Sequence, residues 1–217
     1  MSRRCTPIAF LAALMFLLGS GLGAGAQTVT LPVTPDPSAC DVATLPTIQD
    51  ILTRAGMTPA PDSAAPGATP SVSPTPFALP AGTPADQATI DSVTATLVST
   101  LACQNTGHLF ATFAFTTDNF IKTSLSRAPL TESDVATINE LAATPTTVTP
   151  AQFASLVSVD NVTTLSDGRV GAVVGATFSQ SNGETSVEYL IFAHQNGHWL
   201  IDEEIQDISG LNATPAA

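Results

Sequence analysis

Two runs near the C-terminus, Leu165-Ser166-Asp167-Gly168-Arg169-Val170 and Asn196-Gly197-His198-Trp199-Leu200-Ile201-Asp202-Glu203-Glu204, carry the reading on which the fold depends. Asp-Gly and Asn-Gly steps accept the positive φ that tight hairpins require, so each joins two antiparallel strands. Asn182-Gly183 marks a third hairpin between them. Around these turns the sequence alternates: Val170, Ala172, Val174, Ala176 and Phe178 stand against Gly171, Val173, Gly175 and Thr177. The pattern predicts about four antiparallel strands over residues 156–165, 169–179, 187–194 and 198–205.

The last hairpin has two candidate registers. A three-residue loop, Gln195-Asn196-Gly197, sets Ala193 opposite Trp199, Ile191 opposite Ile201, Tyr189 opposite Glu203 and Val187 opposite Ile205. It also sets Glu188 opposite Glu204 and His194 beside His198. A two-residue Asn196-Gly197 loop sets Ile191 opposite Asp202 and Leu190 opposite Glu203. The first keeps one face apolar apart from a Tyr-carboxylate pair, so it is the preferred expectation.

Upstream the period changes from two to helical. Ile90, Val93, Leu97, Val98 and Leu101 recur on one face before Asn105-Thr106-Gly107, and Thr83-Pro84-Ala85-Asp86 reads as the start of that helix. Leu109, Phe110, Phe113, Phe115, Phe120 and Ile121 suggest two short helices around a Thr116-Thr117-Asp118 cap. Thr131-Glu132-Ser133-Asp134 opens another over 132–143. Helices first and strands second predicts an α+β domain over 84–209, its sheet laid on N-terminal helices to bury both apolar faces.

The remaining segments read as follows. Arg3 and Arg4, the apolar run Ile8 to Leu18 and Ala24-Gly25-Ala26 have the form of a signal peptide over 1–26. The apolar run is about half of the ~20 residues that span a bilayer, which disfavours an anchor. Residues 27–56 hold a short helix between Leu45 and Gly56, with Ile48, Ile51 and Leu52 in helical spacing. Residues 57–83 are a Pro/Ala/Ser/Thr-rich linker, and 210–217 a flexible tail. In the exported chain Cys40 and Cys103 remain and pair, which clips the short helix to the main domain. An extracytoplasmic location follows from the leader, with no membrane association after cleavage.

Formal net charge is −12, from 18 Asp+Glu against 6 Lys+Arg. Cleavage would remove two of those arginines and no carboxylate, so nucleic acid and anionic membrane surfaces are excluded as partners. No Gly-rich phosphate loop, Gly-x-Ser-x-Gly elbow or His-Glu-x-x-His helix occurs. Neither a metal nor another cofactor is expected: His108, His194 and His198 lack the converging ligands that zinc needs, and His194 and His198 read as solvated turn residues. Asn161-Val162-Thr163 and Asn212-Ala213-Thr214 match glycosylation acceptors by composition alone.

A long amphipathic helix, two short aromatic-rich helices and a sheet whose last strand opens Gly197-His198-Trp199-Leu200-Ile201-Asp202-Glu203 resemble the nuclear-transport-factor-2-like superfamily. SnoaL-like cyclases and ketosteroid isomerases belong to it, and the Leu165 to Val170 turn is similar to secreted bacterial members. The resemblance spans about Asp86 to Ile208. It implies a curved, cone-shaped sheet around a cavity, and a homodimer through the sheet. Phe113, Phe120, Tyr189, Trp199 and Glu203 are the expected lining of that cavity. A single Tyr and no second inward carboxylate do not reproduce the isomerase machinery. The expected function is therefore non-catalytic: binding of a small apolar ligand or of a protein partner. A SnoaL-like or isomerase-like enzyme using Tyr189, Glu203 and Asp118 is the first alternative, and a structural module with a filled cone the second.

Overall fold

The computed structural model describes residues 30–62, 78–126, 130–178 and 184–205. The leader, the tail, the centre of the linker and the Asn182-Gly183 turn lie outside the described residues. In chain order the elements are α1 (Ile48–Ala55), β1 (Gly82–Pro84), α2 (Gln87–Asn105), α3 (Asp118–Ser126), α4 (Glu132–Ala143), β2 (Ser155–Leu165), β3 (Val170–Thr177), β4 (Thr185–Gln195) and β5 (His198–Ile205). Short 3-10 turns lie at Pro37–Ala39, Ala111–Phe115 and Pro150–Gln152. The chain is α+β, as expected. Its sheet is open and antiparallel in the order β1-β2-β3-β4-β5, with β1 and β5 at the edges.

Five strands replace the expected four because Thr83-Pro84 do not start a helix. They pair with β2 instead, Gly82 opposite Leu165 and Pro84 opposite Thr163. An edge strand accepts proline, whose missing N–H can face outward. Asp86 then caps α2, its Oδ1 accepting from the Thr89 amide at 2.7 Å. The expected linker also narrows from its other end. Ala60 bridges to residues 130–132 through Ala60 N to Leu130 O at 2.9 Å and Glu132 N to Ala60 O at 3.0 Å.

Among the described residues the two larger of three hydrophobic clusters lie between helices and sheet and among the helices. In the larger, Val93, Leu97 and Leu101 of α2 pack on Leu156, Ala172, Val174, Leu190, Phe192 and Ile201 from the inner face of the sheet. The smaller is helical. Ile48, Ile51, Leu52 and Ala55 recur at helical spacing and are all buried, against Phe110 of the 3-10 turn and Ile121 of α3, with Val135 and Ile138 of α4 alongside. Helix α1 is bounded by a Thr47–Asp50 capping box and by Gly56 at φ 65°.

The Cys40–Cys103 disulfide is present, with Cα atoms 4.6 Å apart. It is one of several tethers on the N-terminal segment, along with the Val33–Leu156 backbone pair. Arg54 donates to Asp118 Oδ1 at 2.7 Å and to the carbonyls of Phe113 and Thr116 at 2.9 and 2.6 Å. Asn105, buried at the end of α2, donates to Pro35 O at 2.9 Å and exchanges two hydrogen bonds with the Ala154 backbone.

The final hairpin departs from the preferred register. Gln195 pairs with His198, His194 with Trp199, Ala193 with Leu200 and Phe192 with Ile201. Asn196 and Gly197 form a two-residue loop at φ 52° and 84°, the positive pair that a type I′ turn needs. Past Ile201 a bulge intervenes, after which Ile191 faces Glu203, Leu190 faces Glu204 and Tyr189 faces Ile205. Neither anticipated register runs the length of the hairpin, because an extra residue, Asp202, enters β5. The bulge reverses the alternation beyond it.

A cavity between helix α2 and the sheet

The space between α2 and the inner face of the sheet is not completely filled. A cavity of about 280 Å³ remains, walled on the helix side by Leu97 and Leu101, with Thr100 and Gln104 on the same face. Phe113 and Phe120 close it from the 3-10 turn and α3. Leu156, Val174, Ala176 and Leu190 form its sheet wall, where the ladder places Leu156 opposite Ala176 and Val174 opposite Glu188. Alternation therefore carries Glu188 onto the same face as Leu190. Glu204, opposite Leu190, also lines the cavity.

Two carboxylates thus line a largely apolar chamber. Burial pushes the Glu188 carboxyl above its ordinary value, and the like charge of Glu204 pushes the same way. A hydrogen bond from Ser186 Oγ, 2.9 Å from Glu188 Oε1, acts in the opposite direction.

Of the five residues expected around the cavity, Phe113 and Phe120 line it and Tyr189, Trp199 and Glu203 do not. The bulge at Asp202 explains Glu203, which it turns to the outer face while turning Glu204 inward. Tyr189 is 1% exposed and packs with Leu165 and Ile191 in a small outer-face cluster. Its phenol lies over Gly171, where a Cβ would overlap the hydroxyl. Burial pushes this phenol above its ordinary value. Trp199 shares the inner face with Ile201 but sits at the turn, its ring 5.0 Å from that of His194 and its carbonyl accepting from Thr96 at 2.9 Å.

Glu203 instead belongs to a charged cluster around Arg169. The guanidinium contacts Asp167 at 2.7 Å, Asp202 at 2.9 Å and Glu203. These bonds, with Glu203 first, hold Arg169 firmly charged. Asp202 also accepts from Thr117 Oγ1 at 2.6 Å, and Thr117 in turn accepts from the Phe120 amide at the start of α3. The cluster thereby ties the β2–β3 turn to the bulge and the bulge to α3, a structural employment for three acidic side chains.

Asp118, the third residue of the enzyme alternative, is exposed and paired with Arg54, away from the cavity. His194 and His198 are not opposite each other, since their partners are Trp199 and Gln195. His108 lines a different hollow, beside Gly107 and Thr146. Among the described residues no three His, Cys, Asp or Glu side chains converge as metal ligands.

A larger hollow of about 770 Å³ lies between Asp41–Thr44, the Ser92–Ser99 face of α2 and the His194–Leu200 hairpin. Its walls are mainly small side chains and turn residues. Ligand seats are concave and mainly apolar with few convergent polar groups, a description that the smaller cavity fits better.

Sequence reasoning missed Glu188, Glu204 and Arg169. One signal was legible: Asp202-Glu203-Glu204 directly follows an apolar alternation, and three successive acids on one strand invite a break in it.

Comparison with protein-family models, with curated proteins and with solved structures gave no match.

Proposed function

We propose that this chain is an exported, non-catalytic binding domain whose ligand seat is the cavity between α2 and the inner face of the sheet. The carrying observation is that chamber of about 280 Å³, bounded by Leu97, Leu101, Phe113, Phe120, Val174 and Leu190. Burying apolar ligand surface there contributes about 25 cal/mol per Å² before the cost of association. The unfilled space weighs against a structural module with a packed interior. The resemblance to the nuclear-transport-factor-2-like superfamily agrees with a seat between helix and sheet.

Export draws on the N-terminal leader pattern, with a disulfide suited to an oxidising compartment. No helix among the described residues is long and apolar enough to cross a membrane. Mass analysis of the exported protein should find residues 1–26 removed and no free thiol. The homodimer implied by the resemblance would use an outer face on which Tyr189 and Ile191 are already buried within the chain, which favours a monomer in sedimentation.

The binding reading is tested with a neutral apolar fluorophore, N-phenylnaphthylamine. Fluorescence should rise saturably on addition to the protein, and Ala176→Phe, which fills the cavity from the sheet wall, should weaken binding at least tenfold with the circular dichroism spectrum retained. Unchanged affinity in that variant would place the fluorophore elsewhere. An enzyme is the second reading, favoured by the raised Glu188 carboxyl, because a carboxyl titrating nearer neutrality suits general acid-base work. Turnover of an apolar substrate, lost in Glu188→Gln, would establish it.

A further inference from the structure

The larger hollow, of about 770 Å³, differs in chemistry from the helix–sheet cavity. Its volume lies within the range of roughly 300–1,000 Å³ usual for small-molecule seats. Ser92, Ala95, Thr96 and Ser99 recur at helical spacing, so one face of α2 offers only short side chains and leaves the space open. Trp199 and Phe115 add aromatic surface. His194, Gln195, Asn196 and His198 add polar groups from the hairpin, and all four are exposed, so solvent reaches the hollow. Among its described lining residues Asp41 is the one carboxylate, and Lys and Arg are absent.

Each wall is anchored within the chain. Asp41 follows Cys40, which is bonded to Cys103. Thr96 Oγ1 donates to the Trp199 carbonyl at 2.9 Å, which holds the hairpin on α2. The Trp199 ring is also packed edge-to-face with that of His194, their centroids 5.0 Å apart. Arg54 donates to the Phe113 and Thr116 carbonyls and so fixes the 3-10 turn that carries Phe115. Walls held in place before binding lose less to ordering when a ligand arrives.

We infer that this hollow is a second ligand seat, for a neutral oligosaccharide. Hydroxyl, amide and neutral imidazole groups each both donate and accept, which matches sugar hydroxyls that do the same. The C–H faces of a sugar ring pack on an indole, whose π face is negative, through dispersion and weak hydrogen bonds. A phosphate or sulfate ester finds no guanidinium or ammonium group here and meets Asp41 instead. An aliphatic ligand strips water from the polar groups without replacing their hydrogen bonds. The seat is separate from the apolar cavity, since the two share no lining residue.

Trp199 is the single tryptophan of the chain, so its fluorescence reports on this hollow. The test titrates cellohexaose, maltohexaose, N-acetylchitohexaose and the anionic hexagalacturonate against the full-length chain, with calorimetry in parallel. At least one neutral sugar should bind saturably with Kd below about 1 mM, and hexagalacturonate about tenfold more weakly than that sugar. Ala95→Phe, which fills the hollow from an exposed position of α2, should weaken the neutral sugar at least about tenfold. Asn196→Gly removes the amide while suiting the φ of 52° at that turn position, and should weaken it several-fold. Ala176→Phe should leave sugar binding unchanged, so this seat and the apolar cavity fail separately. The inference is overturned if no neutral hexasaccharide gives a saturable response at about 10 mM. Tightest binding of hexagalacturonate, or sugar affinity unchanged in Ala95→Phe, overturns it as well.

Discussion

Asp202 determines which acidic side chain meets the cavity. As the extra residue of the bulge it is buried, and its two oxygens are used by Thr117 and Arg169. Arg169→Gln should therefore leave an uncompensated buried carboxylate and lower unfolding free energy by about 3 kcal/mol in denaturant titration. Gly171→Ala should also destabilise, since a Cβ there collides with the Tyr189 phenol; a loss of about 1–3 kcal/mol is expected. At Glu188 the sign differs. Its carboxyl is raised in the folded state, so the native chain holds its proton to higher pH than the unfolded chain does. Stability then falls as pH rises from the ordinary carboxylate range through the raised folded value. Among the described residues lining the cavity, Glu204 is the other titratable group that faces it. Glu188→Gln should raise Tm at neutral pH, and the gain should vanish below about pH 4, where both forms are neutral. A gain independent of pH would contradict the buried-carboxylate account.

The elements show where sequence was informative and where it fell silent. Helix α4 and strand β5 occupy their expected residues, because a Thr-Asp capping box and a Gly-bounded alternation are local signals. The Asp167-Gly168 turn also forms as read, Gly168 taking φ 85°. Residues Thr83-Pro84 resemble a helix start locally, and only the presence of Thr163 and Thr164 across the sheet edge makes them a strand. The bulge was legible only in part: three successive acids invite a break in the alternation, but its position at Asp202 is set by Arg169 and Thr117, which are distant in sequence. Phe113 and Phe120 were expected at the cavity through the family resemblance, and they line it; Glu188 follows from alternation with Leu190 in β4, whereas the inward turn of Glu204 depends on the bulge. Helix α1 offers a test at this scale. Its disulfide closes a separation of 63 residues, worth about 4 kcal/mol by loop-closure entropy. Replacing both cysteines by serine should cost up to that amount in global stability. Hydrogen exchange should still show α1 protected, because four buried apolar residues and Arg54 hold it in place. Loss of protection confined to α1 would make the disulfide its principal tether.

On the scale of the whole molecule, α2 lies across one face of an open sheet and leaves a largely apolar chamber that Glu188 and Glu204 also line. The fold class followed from the order of periodicities. The chamber did not, because whether side chains fill a helix–sheet interface depends on volumes contributed by several distant segments at once. The measurement that tests the account most directly is a crystal structure of the chain from residue 27 onward grown with octanol, a small neutral ligand with an apolar body. The account predicts an alkyl chain between α2 and the sheet, in contact with Leu97, Leu101, Phe113 and Phe120. An interior closed by those side chains, with the alcohol absent or lodged in the hollow beside Trp199, would contradict it.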